Sequence, residues 1–414
     1  MTQPAPGAPH AVREAGAVPP RAATVLVGSV WPWHGFTQFA AALRRRGVRV
    51  VHLTASTSTT VGRSRHRLET LVYSRVVAAL PASGPPPPGV MGTVLADLGP
   101  AVAAVEAEEV VAEALRLASG ATATTSKVGV GTAEDLLYDK LAVTAYAADL
   151  GLAVPETWAW APEPLPPLPL VVKTRRGFGG IGVRVVHTVD ELDRALVELA
   201  AGDPTNILVQ RHLPGELLHA AGVARAGRLV QAAAFVSVPA DDDPFGPCTS
   251  VRVLDEPALL ASVATLVGNL GYTGMFCLDF VRDADGRPTL IDVNARVFGS
   301  WFALQLCGLD LIGAYLYAIG LRAQAPFGHA VPGTTQPVFP TAATTLARVD
   351  LSAGLRLGAR QLLQHARHLG LRWAVLAGQE ALTDGLRRHR AAARAGAIPT
   401  RVAGDRGAAV AVGV

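Results

Sequence analysis

Residues 276–296 read FCLDFVRDADGRPTLIDVNAR, a hairpin that carries its chemistry on one face. Phe276, Leu278 and Phe280 alternate with Cys277, Asp279 and Val281, the period of a half-buried strand. Thr289 to Ala295 alternates too, and Asp285-Gly286 between the two runs is a strong hairpin turn signal. Depending on loop length, Asp279 lies opposite Asp292 or opposite Leu290. Either register keeps Asp279, Asp292, Asn294 and Arg296 on one face, because side chains alternate with period two. Clustered carboxylates repel, so a fold that gathers them normally does so for a cation. Oxygen donors from Asp, Asp and Asn suit magnesium better than zinc. Arg296 adds a fixed positive charge suited to a phosphate oxygen. The segment therefore points to a metal-held polyphosphate. The competing reading, a solvent-facing hairpin that merely displays two acids, leaves the cost of like charges paired across strands unexplained.

Upstream, PLVVKTRRGFGGIGVRVV (169–186) is an apolar strand running into Lys173, a loop with Gly177, Gly179, Gly180 and Gly182, and a second strand from Val183 to Val186. Dense glycines let backbone N–H groups turn toward an anion, and the lysine adds a point charge. The loop is not a Walker motif, since no Gly-Lys-Ser/Thr follows. It is not a dinucleotide fingerprint either, since a strand rather than a helix comes next. LLYDKLAVTAYAADLGLAVPETW (136–158) reads as an amphipathic helix carrying Lys140 and ending near Gly151. NILVQRHLPGELLHAAGV (206–223) is a strand through Gln210, Arg211, His212 and Leu213 into a Pro-Gly turn, with Glu216 beyond it. Taken singly, Lys140 reads as a solvated helix lysine and Glu216 as a surface carboxylate.

In this order the pieces resemble the ATP-grasp superfamily, in its carbamoyl-phosphate-synthase-like, carboxylate–amine ligase branch. The resemblance covers about residues 23 to 325 and rests on the acidic hairpin and the lysine–glycine loop. It implies an α/β fold with an α+β ATP-grasp core and an ATP-dependent ligase that acts through an acyl phosphate. It also implies ATP and magnesium as cofactors, with manganese as the alternative ion. By the resemblance, Lys140 and Lys173 are the ATP-phosphate lysines and Gly177 to Gly182 the mobile phosphate loop. Gln210, Arg211, His212 and Leu213 hold adenine through their backbone, and Glu216 lies near the ribose. Asp279, Asp292 and Asn294 match the metal ligands. Arg296 matches the arginine that meets the reacting phosphate and carboxylate, which makes Arg296 and Lys173 the catalytic pair. Two positions depart from the common pattern. Most relatives carry Glu at the two acidic metal positions, and many carry Glu where Gln210 stands. Within the superfamily the rival is a carboxylase-type enzyme using bicarbonate, but no biotinyl or glutaminase domain is present. Outside catalysis the rival is a nucleotide-binding sensor, which has no reason to keep Lys173, Asp279, Asp292, Asn294 and Arg296 together.

The chain has 414 residues, half of them apolar, enough for two or three domains with a real core. A net charge of +4 argues against nucleic-acid binding as the main task. Cys248, Cys277 and Cys307 are widely spaced, which suggests a reducing cytoplasm rather than disulfides or a zinc site. Residues 1–22 read as a disordered tail, not a signal peptide, and no apolar run reaches membrane-spanning length. Residues 23–125 read as a small parallel-sheet domain, opened by a strand from Thr24 to Val30. Trp31, Trp33 and His34 lie at that strand's end, a usual ligand position in open α/β sheets. PASGPPPPG (81–89) is a stiff loop. Residues 126–325 read as the ATP-grasp domain, with a lid over about 166–211 and an antiparallel-sheet catalytic subdomain. Residues 326–414 form a helical, arginine-rich extension, most simply an extra layer packed on the core. The expected partners are a small-molecule or peptide carboxylate and an amine, with neither nucleic acid nor membrane. The resemblance leaves room for a homodimer.

Overall fold

In the computed structural model the described residues are 23–29, 34–54, 69–72, 102–107, 112, 127–129, 132, 134–160, 163–177, 182–200, 203–239, 248–283 and 285–370. The 1–22 tail, Trp31, Trp33, the 81–89 loop, Gly179, Gly180 and residues 371–414 lie outside them.

Four strands, β1 (Thr24–Ser29), β2 (Arg49–Thr54), β3 (Glu69–Val72) and β4 (Val102–Ala107), form a parallel sheet in the order β3-β2-β1-β4. Helix α1 (His34–Arg45) lies on it through Phe36, Phe39, Ala40 and Leu43, spaced to share one helix face. Helix α2 (Lys140–Asp149) follows, capped by Asp139, whose carboxylate accepts the Leu141 and Ala142 amides. Strands β5 (Thr157–Ala159), β6 (Leu170–Thr174), β7 (Val183–Val186) and β8 (Ile207–Arg211) form a second, antiparallel sheet in the order β5-β8-β6-β7. Helix α3 (Val189–Ala200) covers one face of it, burying Leu192, Ala195 and Leu196 against Leu170, Val172, Ile207 and Val209. Lys173 and Gln210, at alternate positions, belong to the other face.

The third sheet comprises β9 (Glu216–Arg225), β10 (Arg228–Pro239), β11 (Cys248–Leu254), β12 (Gly274–Arg282), β13 (Pro288–Asn294) and β14 (Thr335–Pro337). Its order is β13-β12-β9-β10-β11-β14, and the chain enters it from β8 through residues 212–215. Helix α4 (Pro257–Leu270) packs under one face, where Leu259, Val263, Leu266 and Leu270 join Phe276, Leu278, Phe280, Leu290 and Val293. Helices α5 (Trp301–Leu306) and α6 (Leu311–Ala318), with α1 and β1, cover part of the other face over Met275, Cys277, Ala221 and Phe235. The β12 strand is therefore buried on both faces, not half-buried as its alternation suggests, because it is an inner strand with a layer on each side. Trp301 anchors the layers: its indole N–H donates to the Gly35 carbonyl at 2.9 Å, and Phe39 packs edge-on against it. Helices α7 (Thr341–Val349) and α8 (Leu351–Leu369) add a final layer beside α1. No helix among the described residues is long and apolar enough to cross a membrane.

The close approach of β9 to β10 depends on Gly222. A Cβ there would stand 2.1 Å from the Gln231 carbonyl oxygen and 2.7 Å from the Ala232 Cα, both backbone atoms. Gly222→Ala should therefore cost about 1–3 kcal/mol, as overpacking does. Gly268, inside α4, has no atom closer than 3.6 Å to such a Cβ, so Gly268→Ala should stabilise by about 0.5–1 kcal/mol. Urea unfolding of the two variants checks the opposite signs.

Candidate active site

The hairpin closes with Asp279 opposite Asp292 and Cys277 opposite Asn294, but Phe280 faces Leu290. Ile291 is the extra residue, a β-bulge that shifts the register by one. The shift lets Leu290 and Val293, three apart, both enter the core above α4 while Asp292 and Asn294 stay on the opposite face. A chain of hydrogen bonds crosses that face. Arg296 Nη2 donates to Asn294 Oδ1 at 3.0 Å, and Asn294 Nδ2 donates to Asp279 Oδ2 at 3.3 Å. On the far side His219 Nδ1 meets Asp279 Oδ1 at 2.7 Å, while its Nε2 lies 2.8 Å from Ser237 Oγ. A carboxylate only accepts, so a neutral His219 carries its proton on Nδ1 and accepts the Ser237 hydroxyl at Nε2.

Both lysines converge on this face. Lys173 is 6% exposed, and its Nζ donates to the Ile291 carbonyl at 2.8 Å. The bulge that orients Asp292 thus also supplies the acceptor that holds the lysine. Lys140, the first residue of α2, places Nζ 2.8 Å from the Gly177 carbonyl and 3.5 Å from Asp292 Oδ1. Read alone it is a solvated lysine. It is instead largely buried, because α2 begins beside the end of β6: the Lys140 amide donates to the Arg175 carbonyl. Asp139 secures this junction by capping α2 and pairing with the Arg175 guanidinium at 2.5 Å. Gly182 closes the β6–β7 turn on Thr174, where any Cβ would stand 2.5 Å from Thr174 Oγ1.

Burial drives these charges in opposite directions. It pushes Lys173 down to about 8; Asp292 and Asp279 resist the change, and Lys140 adds to it. Burial works to raise Asp292, but Lys140, Lys173 and Arg296 hold it below the usual carboxylate range. Asp139 likewise stays low, because the Arg175 pair and the helix amides overcome its desolvation. Cys277 is pushed well above its ordinary value by burial, with Asp279 adding to the shift, so it is a protonated thiol and a poor metal donor. It lies in a cluster with His219 and Asp279 whose potential donor atoms fall within 4.8 Å of one another. With the thiol silent, Asp279, Asp292 and Asn294 supply mainly hard oxygens. Asp292 Oδ1 is buried without a hydrogen-bond partner and faces Lys140 Nζ at 3.5 Å, so it keeps acceptor capacity for a further cation. The residues fit magnesium.

The remaining candidates lie apart from this row. Gln210 is buried and donates to Thr157 Oγ1 at 2.9 Å. Arg211 pairs with Glu156, and its amide donates to the Glu156 carbonyl. His212 and Leu213 form the passage between the two antiparallel sheets. Glu216 opens β9 opposite Arg282, roughly 10 Å along the strand from His219. It forms an ion pair with Arg282 at 2.6 Å. Sequence reasoning missed His219, Asp139 and Arg175. Asp139 was readable as an N-cap. His219 sits in the run LLHAAG, whose pattern does not reveal which face it joins.

Two lysines and two carboxylates thus meet where the two antiparallel sheets adjoin, an arrangement suited to a metal-bound polyphosphate. Residues 137–300 match the family described as the ATP-grasp domain. Solved structures share its fold. Carboxyaminoimidazole ribonucleotide synthase from Aspergillus clavatus, complexed with ATP, has 16% identity and a TM-score of 0.57, over 75% of this chain and 80% of its own. Biotin carboxylase from Campylobacter jejuni has 14% identity and a TM-score of 0.55, over 73% and 72%. L-amino acid ligase from Bacillus licheniformis has 16% identity and a TM-score of 0.52, over 72% and 74%. No curated protein sequence matches the chain.

The buried lysine makes stability depend on pH in a definite direction. Without nucleotide, folded Lys173 has released its proton above about 8, whereas the unfolded chain keeps it until about 10.5. Stability rises with pH wherever the unfolded state binds more protons. Between pH 8 and 10 the wild type should therefore gain stability relative to Lys173→Met, in which this titration is absent. Urea unfolding of both proteins at the two pH values tests the sign. A difference independent of pH would remove the assigned shift.

Proposed function

We propose that the protein joins a carboxylate to an amine through an acyl phosphate, releasing ADP and phosphate. The supporting observation is the single face that gathers Asp279, Asp292, Asn294 and Arg296 beneath Lys140 and Lys173. Lys140, Lys173 and the amides of the Gly177–Gly182 loop, Gly179 and Gly180 included, bind the α- and β-phosphates. The γ-phosphoryl group then lies toward the carboxylate row. The backbone of Gln210, Arg211, His212 and Leu213 holds adenine, and Glu216 lies near the ribose. Asp279, Asp292 and Asn294 hold magnesium, which when bound contributes positive charge to the transferring group.

A carboxylate oxygen of the substrate attacks the γ-phosphorus as the bond to ADP breaks. Arg296 is the fixed cation for the oxygens that gather charge in this step. The amine nitrogen then attacks the acyl carbon, the C–O bond to phosphate breaks, and the nitrogen loses a proton. Phosphorylation matters because a free carboxylate has no good leaving group. Closure of the glycine loop excludes the water that would hydrolyse the intermediate. The His219–Asp279 and Arg296–Asn294 hydrogen bonds keep the row in place between turnovers, as partners of metal ligands generally do.

The test supplies Mg·ATP with a panel of organic acids and bicarbonate, with hydroxylamine in place of the amine. The expected products are ADP, phosphate and a hydroxamate of the true acid, and isotopic oxygen from that carboxylate should appear in phosphate. AMP and pyrophosphate would overturn the mechanism. Asp292→Asn should lower turnover by at least about 10²-fold while the protein still folds and binds nucleotide. Near-normal turnover at saturating magnesium would remove Asp292 from the metal site.

A further inference from the structure

Glu106 and Lys127 are a buried ion pair outside the carboxylate row, 1% and 6% exposed, with Lys127 Nζ 3.0 Å from Glu106 Oε2. Desolvating two charges is costly, and an apolar pair of similar volume often serves stability as well or better. The other contacts of the pair show what the charges do. Lys127 Nζ also donates to the Ala295 carbonyl at 2.9 Å. The backbone N–H groups of Met275 and Val297 face the Glu106 carboxylate and favour its charge. The Ala295 carbonyl belongs to the peptide unit before the Arg296 Cα, and the Val297 amide belongs to the unit after it. Lys127 therefore holds the peptide plane before Arg296 by a hydrogen bond, and the Glu106 carboxylate faces the amide of the plane after it; these two planes set the φ and ψ of Arg296.

Neither grip is available to an apolar pair, because one needs a donor and the other an acceptor. The pair is itself tightly held. Glu106 is in β4, in register with Val27 of β1, so it belongs to the parallel sheet. The Lys127 carbonyl accepts the Thr273 amide at 2.8 Å. Gly274 leaves room for the carboxylate, since a Cβ there would stand 3.1 Å from Glu106 Oε1. The parallel sheet and residue 127 thus bear directly on the strand end that carries Arg296.

We propose that Glu106 and Lys127 are positioning residues that fix the Arg296 backbone, and through it the guanidinium, for phosphoryl transfer. This rests on the proposed use of Arg296. Single removals would leave an unpaired buried charge and unfold the protein, so the test uses double variants. Glu106→Leu/Lys127→Met removes charge and grip together. Glu106→Lys/Lys127→Glu keeps an ion pair but reverses its polarity, so neither the Ala295 carbonyl nor the Val297 amide finds its partner. Lys127→Arg keeps a donor for both acceptors.

Both double variants should bind Mg·ATP with KM within about threefold of wild type, while kcat falls by about 10²-fold, the scale of a misplaced catalytic group. Amide hydrogen exchange over residues 294–298 should quicken in both, and Lys127→Arg should keep most of the activity. Wild-type kcat and unchanged exchange in Glu106→Leu/Lys127→Met, or full rescue by the reversed pair, would overturn the proposal. Should neither double variant fold, the wild type still decides. Its Val297 amide must exchange as slowly as the Met275 amide inside β12, and exchange at loop rates would overturn the grip. If the wild type makes neither ADP nor hydroxamate with any acid, the ligase reading fails instead, and exchange alone judges the clamp.

Discussion

The extra residue at Ile291 is the constraint on which the site depends. In a regular hairpin, Leu290 and Asp292 would share a face, and one of them would be misplaced. The bulge resolves the conflict by turning Leu290 into the core with Val293 and leaving Asp292 beside Asp279. It also takes the Ile291 carbonyl out of the ladder register, and that carbonyl is what Lys173 binds. Burial, carboxylate placement and lysine placement thus follow from one irregularity in one strand.

Charge is balanced around that strand rather than minimised. Asp279 and Asp292, neighbours across the pair, are offset by Lys140, Lys173 and Arg296 and by hydrogen bonds from His219 and Asn294. Each lysine is held by a backbone carbonyl, Gly177 for Lys140 and Ile291 for Lys173, so its position does not depend on an anion being bound. Such preorganisation places the reorganisation cost in folding rather than in the reaction. It also leaves Lys173 shifted to about 8, since burial and the like charge of Lys140 oppose its proton. A bound polyphosphate favours that proton again.

The three sheets divide the work. The sheet of β5–β8 carries Lys173 and the glycine loop, and the six-stranded sheet carries the carboxylate row. The parallel sheet contributes a structural carboxylate, Glu106, to the strand end holding Arg296. Fold likeness at 14–16% identity speaks to this arrangement and not to the acid or amine.

Local chemistry was legible in the chain. The two alternating runs around Asp285-Gly286, the lysine before a glycine-rich turn, and the Pro-Gly passage before Glu216 are signals within short windows, governed by side-chain period and turn propensity. They were enough to assign strands, turns and a shared face for Asp279, Asp292, Asn294 and Arg296. The residue facing Asp279 on its other side was not legible, because His219 lies 60 positions away and its pairing depends on the order of strands in the sheet. Nor was the burial of Lys140, which follows from α2 starting against β6, or the grip of Glu106 and Lys127 on Arg296. The sequence alone determined which groups lie on one strand face, because alternation is a property of the backbone. Tertiary structure alone decided what meets that face, because long-range pairing is selected by the packing of whole layers, and no local window contains it.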